Sequence, residues 1–223
     1  MIKKSLKKIM NKLGYEIVKK YDSGHFNDAF THNALENVDE KNKNFTHFIK
    51  NIKQDSIFIE SIFKKVDQIY NNNMKFIDVG CGSGVLVDKL KTKYKNGDIK
   101  GCDFSNTKIS NCCEYYKKDI FFVHDISKKL EEKYDFIVCT EVLEHLKNPN
   151  NAIENLCDAL KSNGKLLITV PDGRRDTFAG HIHFWSKESF KLFIESCIGS
   201  DFSTNFSMYC QKNVVLITKK EEK

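Results

Sequence analysis

Apolar and polar positions along this chain keep two rhythms, one of a helix and one of a strand. Ile2, Leu6, Ile9 and Leu13 recur at helical spacing, with lysines between them and Gly14 as a stop, which predicts a short basic amphipathic helix. Residues 15–48 are polar and Asn-rich, with Tyr21, His25, Phe26, Phe30, His32 and His47 interspersed, and read as a partly helical lid or substrate segment. A stripe through Ile52, Ile59, Ile62, Phe63 and Val66 predicts a helix within 49–70. From residue 74 the two rhythms alternate: strands over 74–80, 98–104, 119–125, 134–140 and 164–171, and helices over 84–94, 105–116, 150–161 and 186–196. The last two strands, 202–210 and 213–220, are too close for a crossover and predict an antiparallel hairpin around Gln211-Lys212 at the sheet edge. The expectation is an α/β fold: a mostly parallel seven-stranded sheet, a C-terminal antiparallel hairpin and helices on both faces. Residues 1–48 form the basic helix and lid, and residues 49–223 form the main domain.

Composition narrows this picture. A chain of 223 residues, 40% hydrophobic and with 17 Phe, buries a sizeable core and is not a disordered polymer. It has no run of ~18 uncharged apolar residues, and its N-terminus lacks the continuous apolar core of a secretory signal, so a cytoplasmic protein is expected. The 8 cysteines contain no CxxC pair and several sit in apolar runs, which predicts free structural thiols. The net charge of +6 lies wholly in residues 1–20, which hold seven Lys and one Glu; the remainder is neutral. A neutral body disfavours nucleic acid as a partner. Residues 1–20 suit either weak contact with an anionic membrane surface or a solvated helix laid on the domain.

The most specific stretch is Phe76-Ile77-Asp78-Val79-Gly80-Cys81-Gly82-Ser83-Gly84, a buried strand running into a glycine-rich turn that opens a helix. The glycines permit a sharp turn and a close ligand approach. A dinucleotide-binding turn expects GxGxxG, with pyrophosphate over the helix N-terminus. Here the spacing is GxGxG, and Asp78 stands two residues before the first glycine, where a carboxylate repels pyrophosphate but receives an ammonium group. Acids recur at the next two strand ends. Asp103 lies nineteen residues after Gly84, close to the ~20 of a ribose-binding acid, and Asp125 precedes Ile126.

On these residues the chain resembles the class I S-adenosylmethionine (SAM)-dependent methyltransferases, over roughly residues 50–220. The resemblance implies their Rossmann-like fold and SAM as cofactor. It places Asp78, Gly80 and Gly82 around the amino-acid part, with Cys81 and Gly84 in the same loop. It also places Asp103 on the ribose hydroxyls, Phe104 on adenine, Asp125 and Ile126 at the adenine edge, and Glu141 beside the methionine part.

Thr140-Glu141-Val142-Leu143-Glu144-His145-Leu146 follows the fourth strand. Glu141, Glu144 and His145 are spaced i, i+3, i+4, so on a helical turn they share one face and offer three ligands to a divalent ion. The pattern resembles the ExxEH motif of ubiquinone-pathway O-methyltransferases and small-RNA 2′-O-methyltransferases, and implies Mg²⁺ or Mn²⁺ held by Glu141, Glu144, His145 and a further histidine after the fifth strand, His181 in preference to His183. The alternatives are a metal-free general base at His145 or His181, or neither role. Arg174 and Arg175 suit an anionic substrate, with His183 and Trp185 at the pocket mouth. Ser186 is a candidate cap for the following helix, with Glu188 in its first turn.

The stretches KLGYEI at 12–17 and HIHFWS at 181–186 resemble methyltransferases of bacterial surface-saccharide biosynthesis. The acceptor reading is therefore a hydroxyl of a sugar or a small phosphorylated precursor. The alternatives are a quinone-precursor or other aromatic hydroxyl, an RNA 2′-hydroxyl, or SAM binding without transfer.

Overall fold

The computed structural model describes residues 57–221. The expected basic helix over 1–20, the segment 15–48 with its three histidines, and the start of the helix expected within 49–70 lie outside the described residues. The order of elements is α1 (Ile57–Asp67), β1 (Lys75–Val79), α2 (Val85–Lys93), β2 (Asp98–Asp103), α3 (Asn106–Tyr116), β3 (Phe121–Val123) and β4 (Tyr134–Thr140). A 3₁₀ turn (Leu143–His145) follows, then α4 (Pro149–Asp158), β5 (Leu160–Pro171), α5 (Lys187–Cys197), β6 (Phe202–Tyr209) and β7 (Lys212–Lys219). Among the described residues no helix is long and apolar enough to cross a membrane.

The strands form one sheet in the order β3-β2-β1-β4-β5-β7-β6. The first five pair in parallel, and β7 runs antiparallel between β5 and β6. The continuous apolar runs of the sequence arise because both faces are covered. Along β4, Ile137 and Cys139 face one buried layer while Phe136 and Val138 face the other. β1 divides likewise, with Phe76 on one side and Ile77 and Val79 on the other. Helices α1, α2 and α3 contribute Ile62, Leu90 and Ile109 to one layer, and α4 and α5 contribute Ile153 and Ile194 to its opposite.

The expected hairpin is present with two adjustments. Its turn is Cys210-Gln211, one residue earlier than expected, and its second strand is interior while β6 takes the edge. Both turn residues have positive φ, 48° and 59°, which is the backbone of a two-residue type I′ turn built here without glycine. All eight cysteines are free, as their scatter implied. Ser186 caps α5 by accepting from Ser189 N–H at 3.2 Å, with Glu188 in the first turn.

The strand order reverses direction between β1 and β4, the place where open α/β sheets bind ligands beyond their carboxyl ends. Register sets which residues meet there. Thr140 is level with Thr169, and Pro171 is level with Lys212. The glycine-rich turn, the turn after β4, the loop after β5 and the start of β7 therefore converge at one end of the sheet.

Candidate active site

The glycine-rich turn holds three residues in the left-handed region, Gly80 (φ 77°), Gly82 (φ 51°) and Gly84 (φ 70°). Two of them are required for different reasons. A Cβ on Gly80 would stand 2.3 Å from Val142 Cγ2, so this glycine lets the two adjoining turns pack. A Cβ on Gly82 would meet nothing within 4 Å, so this position faces open space at this end of the sheet. Gly82→Ala should therefore fold with a loss of about 1 kcal/mol for the strained backbone. It should nonetheless bind S-adenosylhomocysteine (SAH) more than tenfold weaker. Thermal unfolding and calorimetry on the same sample check both halves, and unchanged SAH affinity would remove Gly82 from the cofactor cradle.

Three acids line this end as expected. Asp78 is buried and its Oδ1 has no hydrogen-bond partner among the described residues. Burial first, and the Asp103 carboxylate second, push its acid up to about 7. Asp103 is also buried; Oδ2 accepts from Gly82 N–H and Oδ1 from Ser105 N–H, each at 3.0 Å. Each oxygen keeps a further lone pair for a ribose hydroxyl. Phe104 is half-buried beside it. Asp125 Oδ1 accepts from Ser127 N–H at 2.9 Å, fixing the carboxylate at the end of β3. Ile126 follows it with its side chain packed in the core and its carbonyl accepting from Asn155. The unpartnered Asp78 oxygen and the open space over Gly82 fit the ammonium and the close approach of SAM.

The turn after β4 differs from the expected helical face. Glu141 has φ 56° and lies outside the 3₁₀ turn, so the i, i+3, i+4 arithmetic does not apply to it. Its carboxylate accepts from Thr169 Oγ1 at 2.9 Å and pairs with Lys212. Glu144, His145 and His181 do come together, with one ligand atom from each lying within 4.8 Å of the others. The expected quartet is thus a trio, with Glu141 held away by partners on β5 and β7.

Glu144 is the unusual member. It is 0% exposed and neither carboxylate oxygen has a hydrogen-bond partner among the described residues. Burial, with Glu141 second, pushes its acid up to about 9. Its backbone carbonyl accepts from Ile182 and His183 N–H at 2.9 and 3.2 Å, which ties the turn to the loop after β5. His145 Nδ1 lies 3.1 Å from the Gly180 carbonyl. A carbonyl only accepts, so Nδ1 donates to it. His181 Nδ1 is hydrogen-bonded to Asp176, and its Nε2 lies 3.8 Å from Glu144 Oε1. A buried carboxylate lacking partners, beside two imidazoles, is a donor set that fits a divalent ion. Two nitrogen donors favour Mn²⁺ and softer ions over Mg²⁺.

The expected substrate contacts are redistributed. Arg174 is bound by Asp172 through two hydrogen bonds of 3.0 Å, so it is held within its own loop, while Arg175 is exposed. His183 donates from Nε2 to the Leu146 carbonyl at 2.8 Å and stacks on Trp185 at 4.9 Å. Trp185 in turn stacks on Phe193 and packs against the core. Both residues anchor the loop through these contacts. Phe178, Ile182 and Phe184 are exposed in the same loop, and the Phe178 ring lies 4.9 Å from His181. Sequence reasoning did not give Thr169, Asp176 or Lys212 a role in the site. Asp176 had one available signal, its place five residues before His181 in the same loop.

A methyltransferase-domain family model matches residues 55–196, more than half of the chain. The chain belongs to this methyltransferase family. Among curated proteins, the ubiquinone biosynthesis O-methyltransferase of Rickettsia felis is 30% identical over 121 residues, covering 51% of this chain and 49% of that protein. The chain thus spans about half the length of the curated relatives it matches. The fold agrees with a TehB-like SAM-dependent methyltransferase from Corynebacterium glutamicum, at a TM-score of 0.62 and 21% identity over 85% of this chain and 98% of that one. It agrees also with the plantazolicin methyltransferase solved with SAH, at a TM-score of 0.60 and 14% identity over 88% and 92%. The class I SAM-dependent methyltransferase fold expected from the glycine-rich turn and its three acids is the fold observed.

Proposed function

We propose that the protein transfers the methyl group of SAM to a phenolic hydroxyl of an aromatic acceptor of the quinone-precursor kind, and that Glu144, His145 and His181 hold a divalent ion at the reacting side. The observation that carries the ion is the buried, partnerless Glu144 carboxylate facing two imidazoles. The aromatic acceptor is supported by the O-methyltransferase relatives named for ubiquinone biosynthesis and by the exposed apolar loop of Phe178, Ile182 and Phe184 beside the trio. A sugar or phosphorylated acceptor has less support, because Arg174 is paired with Asp172, which leaves the exposed Arg175 for an anion.

SAM supplies a sulfonium leaving group for in-line displacement, and a bound ion would lower the acceptor hydroxyl's pKa. The chain's residues have the remaining tasks. Asp78, Gly82 and Asp103 bind and orient the cofactor, and the apolar loop excludes water and aligns the acceptor. The second reading is metal-free. The Asp176–His181 pair has the arrangement of a general base with its orienting acid, so His181 itself would remove the hydroxyl proton.

Labelled SAM offered with a polyhydroxylated benzene and with sugar phosphates separates these readings. The expected result is label on the phenolic oxygen, stimulated by Mn²⁺ and lost on chelation. Transfer to the sugars alone would overturn the aromatic acceptor, and transfer indifferent to chelation would favour the histidine base.

A further inference from the structure

We propose that Asp176 is the positioning residue that fixes His181 in its Nδ1-protonated form, so that the Nε2 lone pair faces Glu144 and the reacting side. This rests on the reading of Glu144, His145 and His181 as the reacting groups. The loop after β5 is built to hold the pair. Asp176 N–H donates to the Asp172 carbonyl at 3.1 Å, and Asp176 Oδ1 accepts from Phe178 N–H at 3.1 Å. With one oxygen so used, Oδ2 meets His181 Nδ1. The two side chains are 8% and 11% exposed, so water competes little for that bond. His181 is held from the other side as well: its N–H donates to the Phe178 carbonyl at 3.1 Å, and its ring packs against His145 at 4.5 Å and Phe178 at 4.9 Å.

A carboxylate is an acceptor only, so the bond to Oδ2 requires a proton on Nδ1. The other neutral tautomer would set two lone pairs against each other and aim an N–H at Glu144 Oε1, 3.8 Å away. Both oxygens of Asp176 are used within the loop, so it acts through His181. A carboxylate that orients a histidine changes ion affinity by roughly 10- to 100-fold when removed.

Asp176→Asn tests this. Asn keeps the acceptor for Phe178 N–H and nearly the same volume. It replaces Oδ2 with a donor, which favours an unprotonated Nδ1 on His181. Long-range ¹H–¹⁵N spectra at about pH 8, with His181 assigned by loss of its signals in His181→Gln, read the tautomer directly. The wild type should show Nε2 unprotonated, and Asp176→Asn should shift the population towards the other form. In SAH-saturated protein the variant should bind Mn²⁺ roughly 10- to 100-fold more weakly, with SAH affinity unchanged. A wild type protonated at Nε2, or a variant with the same tautomer and Mn²⁺ affinity, would overturn the proposal. If Mn²⁺ fails to bind the wild type, the ion reading falls while the spectra still decide the role of Asp176. The wild-type tautomer needs no variant, so the proposal stays decidable should Asp176→Asn not fold.

Discussion

Asp78→Asn should abolish useful SAH binding while making the free protein more heat-stable at about pH 8. The two effects share one cause. Asp78 is buried, its Oδ1 lacks a partner, and its acid is pushed from 3.8 up to about 7 by burial and by Asp103. A group whose folded pKa is raised binds its proton more tightly in the native state than in the unfolded one. Its native form therefore costs nothing below the unfolded pKa, and stability falls as pH rises through the window between 3.8 and about 7. At about 1.4 kcal/mol per tenfold change in proton affinity, that gap sets a ceiling of about 4 kcal/mol above the window. Neutral Asn removes this cost, so the variant should gain most at about pH 8, less than half as much at about pH 5, and almost nothing below the unfolded pKa of 3.8.

The ammonium of the cofactor offsets the same charge in the wild type, so SAH affinity should rise as pH passes through about 7. In Asp78→Asn that pH dependence should flatten, and affinity should fall roughly 10²- to 10³-fold, the scale of breaking a buried charge pair. Calorimetry and thermal unfolding at about pH 6 and about pH 8 measure both sides. Undiminished SAH binding by the variant would remove Asp78 from the cofactor site. Wild-type stability flat across the window would instead remove the account of a strained buried acid.

The architecture was legible where the physics is local. Strands buried on both faces give continuous apolar runs such as Phe136-Ile137-Val138-Cys139, and helices give stripes, so the alternation predicted a covered parallel sheet. The glycine-rich turn was legible for the same reason: its left-handed glycines and the acid two residues before them belong to one short segment. The reacting side was only half legible. Spacing of i, i+3, i+4 brings side chains together on a helix, but the strand's exit places Glu141 at φ 56° before a 3₁₀ turn begins. Its partners, Thr169 and Lys212, come from strands far along the chain and are set by sheet register, which residue spacing does not encode. Arg174 is read differently for a related reason. A basic pair in a ligand-side loop looks fully available until Asp172, two residues away, is seen to bind Arg174, while Arg175 stays exposed.

Glu144→Gln should lower kcat by roughly 10²- to 10⁴-fold, the scale of losing the means to remove the acceptor's proton, with SAH affinity unchanged. Near neutral pH the substitution is close to isosteric and isoelectronic with the native state, because a buried acid pushed up to about 9 holds its proton there in the free protein. Thermal stability should thus rise at pH 7 and not fall, because the native acid must hold a proton that the unfolded chain loses above 4.5. This separates a reacting role from a structural one, since a carboxylate that held the fold together would destabilise the protein on removal.

Mn²⁺ binding should vanish in the same variant, as Gln replaces the only carboxylate of the trio by a neutral amide. Glu141→Gln sharpens the comparison. Its carboxylate is held by Thr169 and Lys212 and lies outside the trio, so Mn²⁺ affinity should change by less than about threefold. Equal loss of Mn²⁺ binding in both variants would restore the four-ligand arrangement that the spacing predicted, and would mean that Glu141 exchanges Lys212 for the ion. Loss in Glu144→Gln alone would place the reacting centre on the buried acid and the two imidazoles. It would leave the Glu141–Lys212 pair as the tie between the turn after β4 and β7.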